Sequence, residues 1–454
     1  MIMQLQAALN VRRGDVIAFT GAGGKTSALF RLGSELLGAG WRVIATTTTR
    51  IAAAELDIVP GSLRISENNL RREAITRTLN QHGFVFLYTG ISGDHVLGLA
   101  PDQIAQLTDN VDSDVLLVEA DGSRGLPFKA PYRHEPLIPD CASIVVPVVG
   151  FDALGELLDA AHVYNPQAMI ERYGYAPNTR IKAPWLASVL RDPELGLKGV
   201  PDAARIVALI NKVPGSSYAR SRARGIARLA LRESRIQAVA FGSVQGAVPV
   251  FESQRRIAAI VLAGGLSSRM GQPKVLMPWD GRPIIQVIVD KLKRARIDDI
   301  VVVTGHLAGK VRAALEGEPA RLVHNAAYRE GDMLSSLQAG LQAIGPEMSA
   351  CMMVLGDQPQ IDPRVISDVL SAYAEGRGAI IAPSYQKRRG HPIVIDRQFW
   401  PELLDLPPSG APRDVINAHA DRIGYVNVAT DSILRDIDTP QDYTQERRRA
   451  GLDS

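Results

Sequence analysis

Cysteine is nearly absent from this 454-residue chain, which has only Cys141 and Cys351. Both fall in apolar, strand-like runs, where a small buried hydrophobe is the expected role rather than a disulfide partner or a nucleophile. Charge of one sign is also missing. The 51 basic and 48 acidic residues leave a formal net charge of +3, and the only basic clusters are short ones such as Arg71-Arg72 and Arg447 to Arg449. No electrostatic footprint for nucleic acid results. The sequence contains no uninterrupted apolar stretch of about 18 residues, the length a membrane-spanning helix needs. Met1 to Asp15 lacks the apolar centre of a secretory signal. These absences point to a cytoplasmic protein with no membrane partner.

What is present is length for two domains, each able to bury its own core. The strand and helix signals alternate on both sides of a polar connector at residues 243–256, so the expected division is residues 1–250 and 255–454. The expected fold class is α/β throughout: a P-loop-like parallel-sheet domain followed by a Rossmann-like, doubly wound one.

The most informative stretch is Ile257 to Lys274, I-A-A-I-V-L-A-G-G-L-S-S-R-M-G-Q-P-K. A branched apolar run fits a buried strand, and it leads directly into Gly264-Gly265, where the backbone turns without a Cβ clash. Successive amides in such a turn form an anion nest, and Arg269 and Lys274 supply cationic side chains to the same guest. A nucleotide triphosphate suits that arrangement. Further on, the apolar run Cys351 to Leu355 ends in Gly356-Asp357-Gln358-Pro359, which puts a carboxylate at a strand's carboxyl edge.

The string L-A-G-G-x-S-x-R-M-G-x-P-K resembles the signature of the molybdenum-cofactor nucleotidyltransferases. Its continuation V-L-M-P-W-D-G-R-P-I resembles their cytidylyltransferase branch. The resemblance implies a Rossmann-like nucleotidyltransferase domain of the glycosyltransferase-A-like kind, with CTP as donor and molybdopterin as acceptor, CMP transferred and pyrophosphate released. It assigns Leu262, Ala263, Gly264, Gly265, Ser267, Lys274, Asn325, Ser335 and Ser336 to the nucleotide, and Arg269, Lys274 and Asp357 to catalysis. Asp357 and Asp438, the latter in D-x-D-T-P, would hold Mg²⁺. Asp438 also stands where it could cap the helix expected at Gln441 to Gln445. His391, in Gly390-His391-Pro392, falls beside the acceptor in the family. Two departures are visible. Ala263-Gly264-Gly265 is the guanylyltransferase form of the loop, and Gly410-Ala411-Pro412-Arg413 stands where relatives often carry G-D-x-G-A-R. A guanylyltransferase, a sugar-phosphate nucleotidyltransferase and a non-catalytic cofactor carrier therefore remain as alternatives.

In the first half, Val16 to Thr20 reads as a strand. It is followed by Gly21-Ala22-Gly23-Gly24-Lys25-Thr26 and a helical pattern, the order of a phosphate-binding loop. Phe19 occupies the place where the usual spacing has glycine. Glu119 and Asp121, at the end of the strand from Val115, stand where a Walker-B-like carboxylate would meet a metal. Thr46 to Thr49 fit either a strand or a phosphate site. Ile206 to Ile210 ends in Asn211-Lys212, but Pro214 replaces a guanine-reading aspartate. The run Val118 to Arg124, with Lys129-Ala130-Pro131 and His134-Glu135-Pro136, resembles the YqeC-like accessory proteins of selenium-dependent molybdenum hydroxylases. This implies a role in cofactor maturation with a molybdenum hydroxylase as recipient. Lys129, His134 and Glu135 suit either an ordered polar site or a solvated loop.

Overall fold

The computed structural model describes residues 2–66, 72–265, 270–329 and 333–453. The chain divides into two compact units, Met1–Gln254 and Arg255–Ser454.

The first unit is built on a nine-stranded sheet. In chain order its strands are β1 (Asp15–Gly21), β2 (Val43–Thr47), β3 (Gly61–Arg64), β4 (Phe84–Tyr88), β5 (Val115–Glu119), β6 (Ile144–Gly150), β7 (Arg205–Asn211), β8 (Ile236–Phe241) and β9 (Glu252–Arg255). Across the sheet they run β9-β8-β7-β6-β1-β5-β2-β4-β3. The pairings from β8 across to β3 are parallel. Parallel strands are covered on both faces and so read as continuous apolar runs; β5 and β6 are buried at every residue. Alternate residues of β1 serve opposite cores. Ala18 packs with Leu186 and Ile226 on one face, and Ile17 and Phe19 pack with Leu29 and Leu32 on the other. The order of strands reverses beside β1, which puts the crevice at the carboxyl ends of β1, β5 and β6.

The second unit has β10 (Ile257–Ala263), β11 (Asp299–Thr304), β12 (Arg321–His324), β13 (Ala350–Leu355), β14 (Ile380–Tyr385), β15 (Arg388–Arg389), β16 (Ile393–Asp396) and β17 (Ile423–Asn427). Their order is β12-β11-β10-β13-β16-β14-β15, with β17 paired to β14. The four strands from β12 to β13 are parallel, as a Rossmann-like sheet requires.

Three readings of the sequence are corrected. Strand and helix do not alternate throughout the second half: β14 turns back through Gln386-Lys387, both at positive φ, and β16 runs antiparallel to β13 and β14. The 243–256 connector contains strand β9. Cys141 lies half-buried in a turn before β6 rather than inside a strand, whereas Cys351 is a buried residue of β13.

Candidate active site and family

In the second unit, β10 and β13 are neighbours with Leu262 opposite Leu355. Gly264 and Asp357 each follow that pair by two residues, so the glycine turn and the carboxylate leave the same sheet edge side by side. Gly356 N donates to Leu262 O at 3.0 Å, which fastens the two strand ends together. Lys274 opens a short 3₁₀ turn, Lys274–Leu276, and brings its Nζ 3.5 Å from Asp357 Oδ2 while also pairing with Asp438 Oδ1. Burial raises the Asp357 carboxyl above its ordinary range; Lys274 opposes the shift and Asp436 adds to it.

Further polar contacts brace the acid-bearing loops. Gln358 Nε2 donates to Asp436 Oδ1 at 2.7 Å, and Gln360 Nε2 donates to Arg435 O at 2.6 Å. From the helix Ile284–Arg294, Lys291 Nζ donates to Pro359 O and to Ile361 O. Burial pushes the Lys291 ammonium down to about 8. Asp438 does not close the last helix: Thr439 is its N-cap and accepts from Asp442 N, while the Asp442 carboxylate accepts from Thr439 N.

Asn325, Ser335 and Ser336 also meet. Asn325 Nδ2 donates to Ser335 Oγ at 2.9 Å and to Ser336 Oγ at 3.1 Å. A Cβ on Gly264 would stand 3.2 Å from Ser336 Oγ, so this cluster backs onto the glycine turn. Leu262 and Ala263 end β10 beneath the turn, and Gly265 is exposed. His391 is half-buried in a separate cavity lined by Arg389 and Arg413. Desolvation and the Arg389 charge push its imidazole down to about 4. Ser267 and Arg269 lie outside the described residues.

Asp357 and Asp438 offer hard carboxylate oxygens. Among the described residues no three or more His, Cys, Asp or Glu side chains gather to hold a metal. A cation here would take one or two carboxylates and complete its shell with water and phosphate, the habit of Mg²⁺.

In the first unit, the loop Gly21 to Gly24 passes close to β6. A Cβ on Gly23 would lie 2.1 Å from Gly150 N, and its φ of 86° is left-handed. The helix Lys25–Gly38 starts directly after this loop. Lys25 is sunk, with Nζ donating to Gly21 O at 2.8 Å and pairing with Asp121 at 3.3 Å and Glu119 at 3.6 Å. Thr26 Oγ1 donates to Glu119 Oε2 at 2.7 Å, and Gly21 N donates to Asp121 Oδ2 at 3.0 Å. Desolvation works against the Lys25 ammonium, but Asp121 and Glu119 outweigh it and raise its pKa. Burial pushes the Glu119 carboxyl up despite Lys25 and Thr26.

Lys129 extends the cluster, with Nζ 3.0 Å from Asp121 and 2.9 Å from Glu135 and 4.6 Å above the Tyr164 ring. Lys129 and Glu135 are therefore parts of a buried ionic network rather than of a solvated loop; His134 is exposed and stacks on Tyr132. The threonines serve the backbone. Thr46 Oγ1 donates to Leu87 O and Thr47 Oγ1 to Glu119 O, each at 2.9 Å. Asn211 Nδ2 donates to Gly23 O at 2.9 Å and holds the glycine loop from β7.

Residues 17–167 match the YqeC protein family. The first half is 34% identical over 201 residues to the "Uncharacterized protein YqeC" of Escherichia coli (strain K12), an alignment covering 44% of this chain and 77% of that protein. The chain belongs to the YqeC family. Beyond its YqeC domain it carries, at residues 259–423, a MobA-like NTP transferase domain. Over 194 residues it is 27% identical to the molybdenum cofactor cytidylyltransferase of Escherichia coli (strain K12), covering 42% of this chain and 96% of that protein. Over 192 residues it is 28% identical to the nicotine blue oxidoreductase of Paenarthrobacter nicotinovorans, covering 40% of this chain and 92% of that protein.

Three contributors to these sites were not legible beforehand. Gln358 and Gln360 act through amide contacts that leave no spacing pattern. Glu55 sits in the short 3₁₀ segment Ala53–Ile58 of the YqeC domain, where burial and then the Glu119 charge push its carboxyl up to about 7. No helix among the described residues is long and apolar enough to cross a membrane.

Proposed function

We propose that the NTP transferase domain is a molybdenum cofactor cytidylyltransferase, moving CMP from CTP to the terminal phosphate of molybdopterin with release of pyrophosphate. The observation that carries this reading is the Lys274 ammonium shared by Asp357 and Asp438 at the sheet edge beside the Gly264 turn. The likeness to the Escherichia coli cytidylyltransferase supports the choice of acceptor.

A phosphate monoester is a competent nucleophile at neutral pH, so the domain needs alignment and charge neutralisation more than a general base. The amides of Gly264 and Gly265 and the side chains of Ser267 and Arg269 are assigned to the triphosphate. Asn325, Ser335 and Ser336 are assigned to the rest of the nucleotide, and His391 to the acceptor. Lys274 is assigned to the α-phosphate. Asp357 and Asp438 would hold Mg²⁺, which when bound offsets charge on the phosphate oxygens.

For the YqeC domain we propose a nucleotide- or phosphate-binding accessory role in delivering the modified cofactor to a molybdenum hydroxylase in the cytoplasm. Gly21, Gly23, Gly24, Lys25 and Thr26 form its phosphate loop, and Glu119 and Asp121 its acidic partners.

The deciding experiment measures pyrophosphate release from CTP, GTP, ATP and UTP by the full chain with molybdopterin. Preference for CTP is expected. Dominant use of GTP would move the assignment to a guanylyltransferase, as the Ala263-Gly264-Gly265 loop form suggests. Release only with a sugar 1-phosphate would replace the acceptor. The pyrophosphate readout also separates this chemistry from the redox activity named for the Paenarthrobacter relative.

A further inference from the structure

In the YqeC domain, the loop from Gly122 to Leu137 that follows β5 is anchored from within and displays large side chains on its outside. Lys129 ties it to Asp121 and Glu135 in the buried ionic network, and Glu135 Oε2 accepts from Tyr132 N at 3.3 Å. Lys198 Nζ donates to Tyr132 O at 2.7 Å and to Arg133 O at 3.0 Å, while Asn165 Nδ2 donates to Pro131 O at 3.2 Å. The backbone is thus fixed on several sides. Yet Tyr132 is 44% exposed, and Arg124 and His134 are exposed as well. Burying an aromatic ring is favourable, so a loop pinned with its rings outward holds them ready for a guest.

The rings form one surface. Tyr132 meets Tyr164 edge to face, with ring centres 5.3 Å apart, and lies parallel to His134 at 6.0 Å. The short strands Phe128–Lys129 and Val163–Tyr164 pair side by side, which sets Tyr164 next to Lys129. The Arg124 guanidinium stands 5.7 Å from the Tyr164 ring centre and the Lys129 ammonium 4.6 Å from it. Two routes join this surface to the glycine loop. Lys129 pairs with Asp121, whose Oδ2 accepts from Gly21 N at 3.0 Å. Arg124 directly follows Ser123, whose Oγ accepts from Lys25 Nζ at 3.2 Å. The surface therefore lies at the mouth of the loop assigned to phosphate.

We infer that Tyr132, His134 and Tyr164, with Arg124, form a ring-binding platform that takes the planar heteroaromatic group of a phosphorylated ligand whose phosphate lies on the Gly21–Thr26 loop. The inference rests on the phosphate-binding reading of that loop. Aromatic side chains stack on flat heterocycles with little regard to ring identity, so the platform favours ring-bearing phosphates over bare ones. Arginine suits the same guest twice over, because its face lies against rings and its fork pairs with phosphate oxygens. Nucleotide bases and pterins share this chemistry.

The test is hydrogen–deuterium exchange on the full chain, read separately in the peptides covering residues 21–28 and 122–137, so that nucleotide held by the transferase domain does not enter the reading. The probes are tripolyphosphate against ATP, GTP and CTP, and inorganic phosphate against a pterin phosphate monoester. In the parent, the bare phosphates should protect residues 21–28 alone. Ring-bearing probes should protect both segments, with a midpoint about tenfold lower or more. The variants R124A and Y132A/H134A alter exposed side chains and are expected to fold as the parent does. Y132A/H134A should lose the protection of 122–137 and the tenfold advantage, with the tripolyphosphate midpoint unchanged, and R124A should lose part of both. Whether a nucleotide or the pterin phosphate protects at the lower concentration identifies the source of the ring, and either result upholds the platform. Equal midpoints for bare and ring-bearing probes in the parent, or an unchanged ring advantage in Y132A/H134A, would overturn it. Protection of 122–137 by ring-bearing probes with none of 21–28 by any probe would remove the phosphate reading and leave a ring site, so the two can fail separately.

Discussion

Gln358 Nε2 donates to Asp436 Oδ1 at 2.7 Å, and this contact ties the loop bearing Asp357 to the loop bearing Asp438. Gln358 is almost fully buried, so the bond is made away from competing water. The two acids come from positions 81 residues apart in the chain. Replacing Gln358 with leucine keeps bulk and removes the tie. Mn²⁺ binding, read by electron paramagnetic resonance, should weaken about tenfold or more, as for other residues that orient ligands without touching the metal. Unchanged Mn²⁺ affinity would show that the loops hold their spacing without the amide.

Removing Asp357 separates chemistry from folding. Its carboxyl is strained by burial, so D357A is expected to leave the melting temperature unchanged or slightly raised. Nucleotide transfer should fall by at least about 10²- to 10³-fold, the scale seen when one preorganised electrostatic partner is lost. Full activity in this variant would refute the metal assignment.

Lys129 bears on stability instead. It bridges Asp121 and Glu135 in the interior of the YqeC domain. K129M would leave two buried carboxylates without that ammonium, at a cost of about 3–5 kcal/mol. Denaturant unfolding of the full chain would read this as an earlier transition for the YqeC domain. Adding E135Q should recover part of the loss; a K129M protein as stable as the parent would mean that water or Lys25 takes over the charge.

Glu55 gives a pH-dependent signal with a definite sign. Its folded-state pKa is raised from 4.5 to about 7, first by burial and then by Glu119, against the pull of Lys25. The stabilisation belonging to its protonated form is complete below about pH 4.5 and disappears as pH rises through 7. E55Q, which keeps the neutral shape at every pH, should therefore melt with the parent at pH 4.5 and several degrees above it at pH 8. A parent-minus-variant difference that stays flat across that window would contradict the assignment.

The cysteines should differ in reactivity. Burial pushes the Cys351 thiol up to about 12, so it should resist iodoacetamide at pH 8 until the domain unfolds. Cys141, only half-buried, should label first. Native-state mass spectrometry after timed alkylation checks the order.

The parts legible in the sequence were those with a local signature. Strands β1, β5, β10 and β13 are apolar runs ended by or running into glycine or an acid, so their positions followed from the local sequence alone. The same holds for the Gly264 turn and the Asp357 edge, because each is written within a few consecutive residues. The antiparallel return through β14 and β16 was hidden. Its turn uses Gln386-Lys387, and neither residue type advertises the positive φ that both adopt. Lys129 and Glu135 looked equally suited to solvent, since sequence records charges but not the partners that make burial tolerable. The braces made by Gln358, Gln360 and Lys291 depend on three-dimensional proximity alone.

Thr439 and Asp442 satisfy one another's backbone at the start of the terminal helix, and the Asp442 carboxylate also draws on the backbone N–H of Asp438, whose side chain pairs with Lys274 instead. Adjacent residues have thus divided their duties, one pair keeping the chain wound and the other side chain turned toward Lys274. A substitution at position 438 can accordingly be interpreted through ligand affinity, without first correcting for a frayed terminus.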